Sequence, residues 1–197
     1  MTKPSKMNTF LFKRIAVLVA GLVLSVPAFA STGGDLLQAG TDLEDRASLQ
    51  RGAQLYMNNC VGCHSLKYVR YQRVGEDLGI PADIMKANLV PPGAKITDYV
   101  LTAMAASLAN ASFGIVPPDL SLITRSKGSD YVYQFLKTFY LDPKAATGTN
   151  NLALPGTAMP HVLSDLQGLQ RAVFDKDGRF GKFETDVAGQ QSAAEYD

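Results

Sequence analysis

The pentapeptide CVGCH, residues 60–64, constrains this chain more than any other feature. It holds both cysteines and one of the two histidines of a 197-residue sequence. Two thiols three positions apart are open to several chemistries. They can close a small disulfide loop, supply half of a zinc site, act as a redox pair or anchor a porphyrin. A structural zinc site takes four protein ligands, and beyond Cys60, Cys63 and His64 only His161 remains among the cysteines and histidines. A C-x-x-C redox pair expects a βαβ surround, which the flanking sequence lacks. The histidine directly after the second cysteine favours the fourth chemistry, because C-x-x-C-H is the attachment pattern of c-type haem.

The preceding segment supports that reading. From Asp45 to Asn59, apolar residues Leu49, Ala53, Tyr56 and Met57 recur at three- to four-residue steps, the period of a helix with one apolar face. On a continuing helical turn Cys60 and Cys63 point the same way. Both can then add to the vinyl groups on one edge of a porphyrin, leaving a ring nitrogen of His64 to bind iron. One covalent haem c is the expected cofactor, with Cys60 and Cys63 as its anchors and His64 as an axial ligand.

The opposite axial ligand is less constrained. Of six methionines, Met1 and Met7 lie in the N-terminal segment and Met57 lies on the helix before the motif. Met85 and Met104 sit in apolar stretches and read as core fillers. Met159 differs, because it lies in NNLALPGTAMPHVL, where Pro155, Gly156 and Pro160 exclude a regular helix. A proline-stiffened loop can hold one side chain over a haem face, and the 95 residues from His64 leave enough chain to wrap the cofactor. His161 is the alternative ligand, or else a surface or supporting histidine.

Residues 1–30 have the form of a signal peptide. Lys3, Lys6, Lys13 and Arg14 precede an apolar run, Ile15 to Val26, and Ala28-Phe29-Ala30 has the small-x-small cleavage form. The run is short of the ~20 residues of a spanning helix. The expected organisation is therefore a signal peptide, 1–30, and a haem domain, 31–197, outside the cytoplasm. Removing the signal takes four basic residues and no acidic ones, leaving 15 basic against 18 acidic side chains, a net of −3. That balance, without a basic stripe interleaved with aromatics, argues against a nucleic-acid partner. Hydrolase and nucleotide-binding signatures are absent, so no catalytic residues are expected.

Helices are expected at Ala82–Asn88 and Ile96–Ala111, the latter capped by Thr97, and across YVYQFLKTFY, capped by Ser129 or Asp130. Tyr131, Phe135 and Phe139 would share one face of that last helix. Short helices, long loops and no alternating strands point to a mainly α, class I cytochrome c-like haem domain with long loops.

Three stretches together carry a closer resemblance. RGAQLYMNNCVGCHSLKYVRY (51–71), VPPDLSLITRSKGSDYVYQFL (116–136) and ALPGTAMPHVL (153–163) resemble, in that order, the haem-attachment, PPDLS and methionine-loop segments of the cytochrome c1 family. The likeness covers roughly residues 35 to 170. It implies that Met159 is the second axial ligand. It also implies that the basic cluster after PPDLS, Arg125 and Lys127, faces a haem propionate. The implied function is a single-haem c-type electron-transfer subunit of the quinol–cytochrome c oxidoreductase (bc1) complex, taking electrons from an iron–sulfur protein. The implied partners are cytochrome b, the Rieske iron–sulfur protein and a soluble cytochrome c acceptor, at the periplasmic face of a bacterial inner membrane. Family members continue into another helix and a membrane anchor. No apolar run of ~18 residues follows residue 30, so the anchor is expected to be missing, and a stand-alone periplasmic shuttle is the alternative reading.

Overall fold

A computed structural model of the protein describes residues 37–196, so the expected signal segment lies outside the described residues. Helix α1 (Arg46–Asn59) forms as its periodicity requires, and the Asp45 carboxylate caps it by accepting from the Ser48 N–H at 3.0 Å. Strand β1 (Leu66–Arg70) follows the CVGCH turn, and α2 (Tyr71–Leu78) begins directly at its end. Helix α2 stops at Gly79, whose φ of 64° is left-handed. Ile80 N–H then returns to Gly75 O at 2.8 Å, closing the helix end as glycine permits. Helix α3 (Ala82–Asn88) lies where expected.

These elements enclose the first core. Tyr71, Met85 and Val100 are fully buried, with Tyr56, Met57, Leu66, Ile80 and Ile96 among the residues packed around them. Helices α2 and α3 approach so closely that a Cβ on Gly75 would sit 2.8 Å from Met85 Cγ. Met85 is the core filler its sequence suggested.

The expected helix over 96–111 is only half present. Tyr99–Val100 form β2, pairing antiparallel with β1, and no helix forms until α4 (Ala106–Phe113). Thr97 caps nothing, and its carbonyl instead accepts from the Arg70 guanidinium. The reason is tertiary: β1 leaves a strand edge that Tyr99 and Val100 fill, and Val100 is buried there.

Helices α5 (Ile123–Lys127) and α6 (Ser129–Lys137) come next. Neither Ser129 nor Asp130 caps α6: Gly128 occupies the cap position, and the Asp130 carboxylate accepts from Ala39 N–H at 2.9 Å. The helix also ends before Phe139, which opens β3 (Phe139–Leu141), paired antiparallel with β4 (Thr149–Asn151). Helix α7 (Ser164–Gln167), the hairpin β5 (Gly168–Phe174) and β6 (Phe180–Ala188), and α8 (Ala193–Tyr196) complete the described chain. With three two-stranded antiparallel sheets among the described residues, the mainly α expectation is met only loosely. The strands are short or polar, so they leave little alternating pattern to read. Among the described residues no helix is long and apolar enough to cross a membrane.

Candidate functional site

Helix α1 ends at Asn59 with Cys60 as its C-cap, and CVGCH follows it as a hydrogen-bonded turn. Cys60 N–H donates to Tyr56 O at 2.9 Å, and Cys63 and His64 N–H donate to Cys60 O at 3.0 and 2.9 Å. Cys60, Cys63 and His64 therefore lie within one turn, as their spacing requires. Both thiols are free and partly buried. Burial, and then the neighbouring Cys63, raises the Cys60 pKa above its ordinary value. The pair also lies at the carbonyl end of α1, with no basic residue in the last turn. A redox C-x-x-C motif works through a lowered thiol pKa, favoured at a helix N-terminus. This environment does the reverse, and it speaks against the redox-pair alternative.

His64 is buried, and its Nδ1 lies 2.7 Å from Pro118 O. A carbonyl can only accept, so Nδ1 carries the proton and Nε2 keeps its lone pair. The residues present thus fit a covalently attached, iron-centred group, with two thiols on one helical turn and one imidazole fixed in its ligating tautomer.

Other segments hold this turn in place. Tyr56 Oη donates to His64 O at 2.7 Å, and burial, followed by the nearby Cys60, keeps the Tyr56 phenol protonated well above its ordinary pKa. Thr102 Oγ1 donates to Gly62 O at 2.7 Å, and Thr102 N–H donates to Ser65 Oγ at 2.9 Å. The PPDLS segment closes over β1. Leu120 N–H donates to Ser65 O, Lys67 N–H to Asp119 Oδ2 at 2.8 Å, and Tyr68 N–H to Ser121 Oγ at 3.2 Å. Burial alone would raise the Asp119 pKa. Hydrogen bonds from Ser121 and the Lys67 N–H, with the Lys67 charge, outweigh it and hold the carboxyl below its usual range. Thr102 escaped the sequence reading, and Asp119 appeared there only as part of PPDLS, with no role of its own.

Met159 lies elsewhere in the chain, on the loop between β4 and α7. It is half-buried, and its N–H donates to Thr157 Oγ1 at 3.3 Å. His161 is buried rather than at the surface. Its ring stacks on Phe139 with centroids 5.0 Å apart and planes 5° from parallel. Burial lowers its pKa, a backbone contact with Gly168 opposes that, and Nε2 has no hydrogen-bond partner among the described residues. The aromatic series expected on one helix face exists, but it crosses from helix to strand: Tyr131 stacks on Phe135, and Phe135 meets Phe139 edge-on at 5.2 Å. Arg125 and Lys127 lie exposed on α5, with the Lys127 ammonium 5.7 Å over the Tyr131 ring.

Comparison with known proteins identifies the family. The family model described as the cytochrome C1 family matches residues 40–178. The chain is 48% identical to the cytochrome c1 of Allochromatium vinosum over 164 residues, 82% of this chain and 67% of that protein. It is 41% identical over 151 residues to a Nitrosomonas europaea protein named ammonia monooxygenase gamma subunit, covering 75% of this chain and 64% of that one. It is 34% identical over 147 residues to the mitochondrial haem protein cytochrome c1-1 of Solanum tuberosum, covering 61% of this chain and 45% of the relative. The chain thus spans about two thirds of the two bacterial relatives and about half of the plant one. With the family model covering most of its length, the chain belongs to the cytochrome c1 family, whose members carry one covalently bound haem c.

Proposed function

We propose that this chain is the single-haem electron-transfer subunit of a bc1 complex, at the periplasmic face of a bacterial inner membrane. Cys60 and Cys63 would hold the haem through thioethers, and His64 and Met159 would ligate its iron. Arg125, exposed on α5, is available to a propionate. Lys127 offers a point charge and not a bidentate fork. When bound, the haem supplies reversible one-electron chemistry.

The chain's own task is to hold and orient. Pro118 O fixes the His64 tautomer and keeps the imidazole a good donor. Tyr56 and Thr102 fix the backbone on either side of the second cysteine. A thioether as second ligand favours the reduced state and raises the potential. The partners are cytochrome b, the Rieske protein as electron donor, and a soluble cytochrome c as acceptor. A domain of net charge −3 after signal removal steers a basic acceptor, an attraction that weakens with salt.

The observation that carries this reading is the His64 Nδ1···Pro118 O contact at the end of a helix bearing both thiols. Its test is the exported, matured protein. A pyridine haemochrome spectrum and a mass increased by one haem are expected, and a colourless polypeptide of unmodified mass overturns it. Membrane fractions should carry the haem protein together with a b-type cytochrome.

A further inference from the structure

Two adjacent asparagines, Asn150 and Asn151, form a polar frame that the expected haem chemistry does not account for. Asn151 is fully buried, an expensive place for a primary amide unless its hydrogen bonds are made. They are made, and they join two segments. Nδ2 donates to Phe135 O at 2.6 Å, near the end of α6. Oδ1 accepts from Ala153 and Leu154 N–H at 2.8 and 3.2 Å, and from Thr138 Oγ1 at 3.3 Å. One side chain thus joins the end of a helix to two successive N–H groups of a loop. Asn150 continues the frame. Its Oδ1 accepts from Gly156 N–H at 2.8 Å and from Asn151 N–H at 2.8 Å, and its Nδ2 donates to Asp142 Oδ2 at 2.9 Å.

The tethered residues, Ala153 to Gly156, lead straight into Met159. Thr157 N–H donates to Leu154 O at 3.2 Å, and Thr157 Oγ1 accepts from Met159 N–H. Beyond the methionine, His161 stacks on Phe139, the residue paired with Asn151 in the β3–β4 register. The loop is therefore gripped before Met159 by the asparagines and after it by the ring stack, with both grips rooted in one hairpin. Prolines alone stiffen a loop without setting where it points. Here the asparagine amides take the place of a missing strand partner.

We propose that Asn151, assisted by Asn150, is a positioning residue that aims the Met159 thioether at the iron. This rests on the reading of Met159 as axial ligand. The frame replaces flexibility at the ligand by pre-organisation. Without it the thioether leaves the iron for part of the time, and an exogenous ligand can enter.

The test uses the matured holoprotein. In Asn151→Ala, covalent haem should match the parent by pyridine haemochrome. The near-infrared thioether–iron band of the oxidised protein should lose most of its intensity, and the reduced protein should gain carbon monoxide binding. Met85→Ala, a cavity in the Tyr71–Met85–Val100 core, controls for general weakening and should keep the full band. A full band in Asn151→Ala with no carbon monoxide binding overturns the proposal, as does an equal loss in Met85→Ala. Should Asn151→Ala yield no holoprotein, Asn150→Ala decides, because it removes the Gly156 tether from a half-buried position. A partial loss of the band supports the proposal, and an unchanged band overturns it. Met159→Ala keeps the two readings apart. If the parent shows no such band, or keeps it in Met159→Ala, the axial assignment fails. If the band needs Met159 but not the asparagines, only the positioning fails.

Discussion

Cys60, Cys63 and His64 occupy a single turn, and four of the hydrogen bonds that shape it join residues no more than eight apart. Met159 sits on a loop whose course is set by Asn151, Phe135, Thr138 and Phe139, drawn from a helix end and a strand pair. One side is built on the local geometry of a helix, and long-range polar tethers finish it. The other side has no regular structure of its own and is built almost wholly from tethers. A helical turn fixes its side chains by backbone bonds that every residue but proline can make. A loop has no such default, so particular side chains must replace it. The difference predicts where substitutions act: near His64 on cofactor attachment, near Met159 on ligation.

The hardest blow to this comparison is His64→Ala. Attachment and iron binding should both fail, with near-complete loss of the haemochrome signal in the purified protein. A normally coloured variant would break the assignment of the helical side.

Met85→Ala comes next. Emptying a fully buried methionine site in the first core should cost about 2–5 kcal/mol in denaturant unfolding. It should leave the thioether–iron band in place. If the band disappears instead, the two regions are not independent and the comparison fails.

Thr102→Val keeps shape and removes the bond to Gly62 O. A loss of about 1 kcal/mol is expected, with unchanged attachment. A larger loss than in Asn151→Ala would mean that the helical side leans on distant tethers more than the loop does.

The smallest effect belongs to Asp119→Asn, below about 1 kcal/mol because the clasp on Lys67 N–H is partly exposed to water. Its sign with pH is fixed. The folded carboxyl has a lowered pKa, so its stabilisation is complete above the unfolded value of about 4 and is lost as pH falls through the folded one. Acid unfolding of the parent should show this loss, and Asp119→Asn should flatten it. A loss that begins near neutral pH would point to another group.

Much of the helical side could be read directly. α1 and α3 fall where their patterns place them, within a residue, and Met85 fills the core. Patterns failed wherever a neighbour from elsewhere in the chain competed. Tyr99–Val100 looked helical and became a strand because β1 offered an edge. Phe139 continued a helical stripe and became a strand opposite Asn151. Asp130 looked like a cap and was taken by Ala39.

The spacing of CVGCH by itself determined the turn, its thiols and its imidazole, because residues three and four apart on a helix meet whatever surrounds them. The composition of the Met159 loop determined only that it is not a helix. Where that loop goes, which nitrogen of His64 is left free, and what holds Asn151 were decided by tertiary structure. Each depends on a carbonyl or an N–H brought from distant sequence, and a buried amide reveals its partners only when the chain has closed around it.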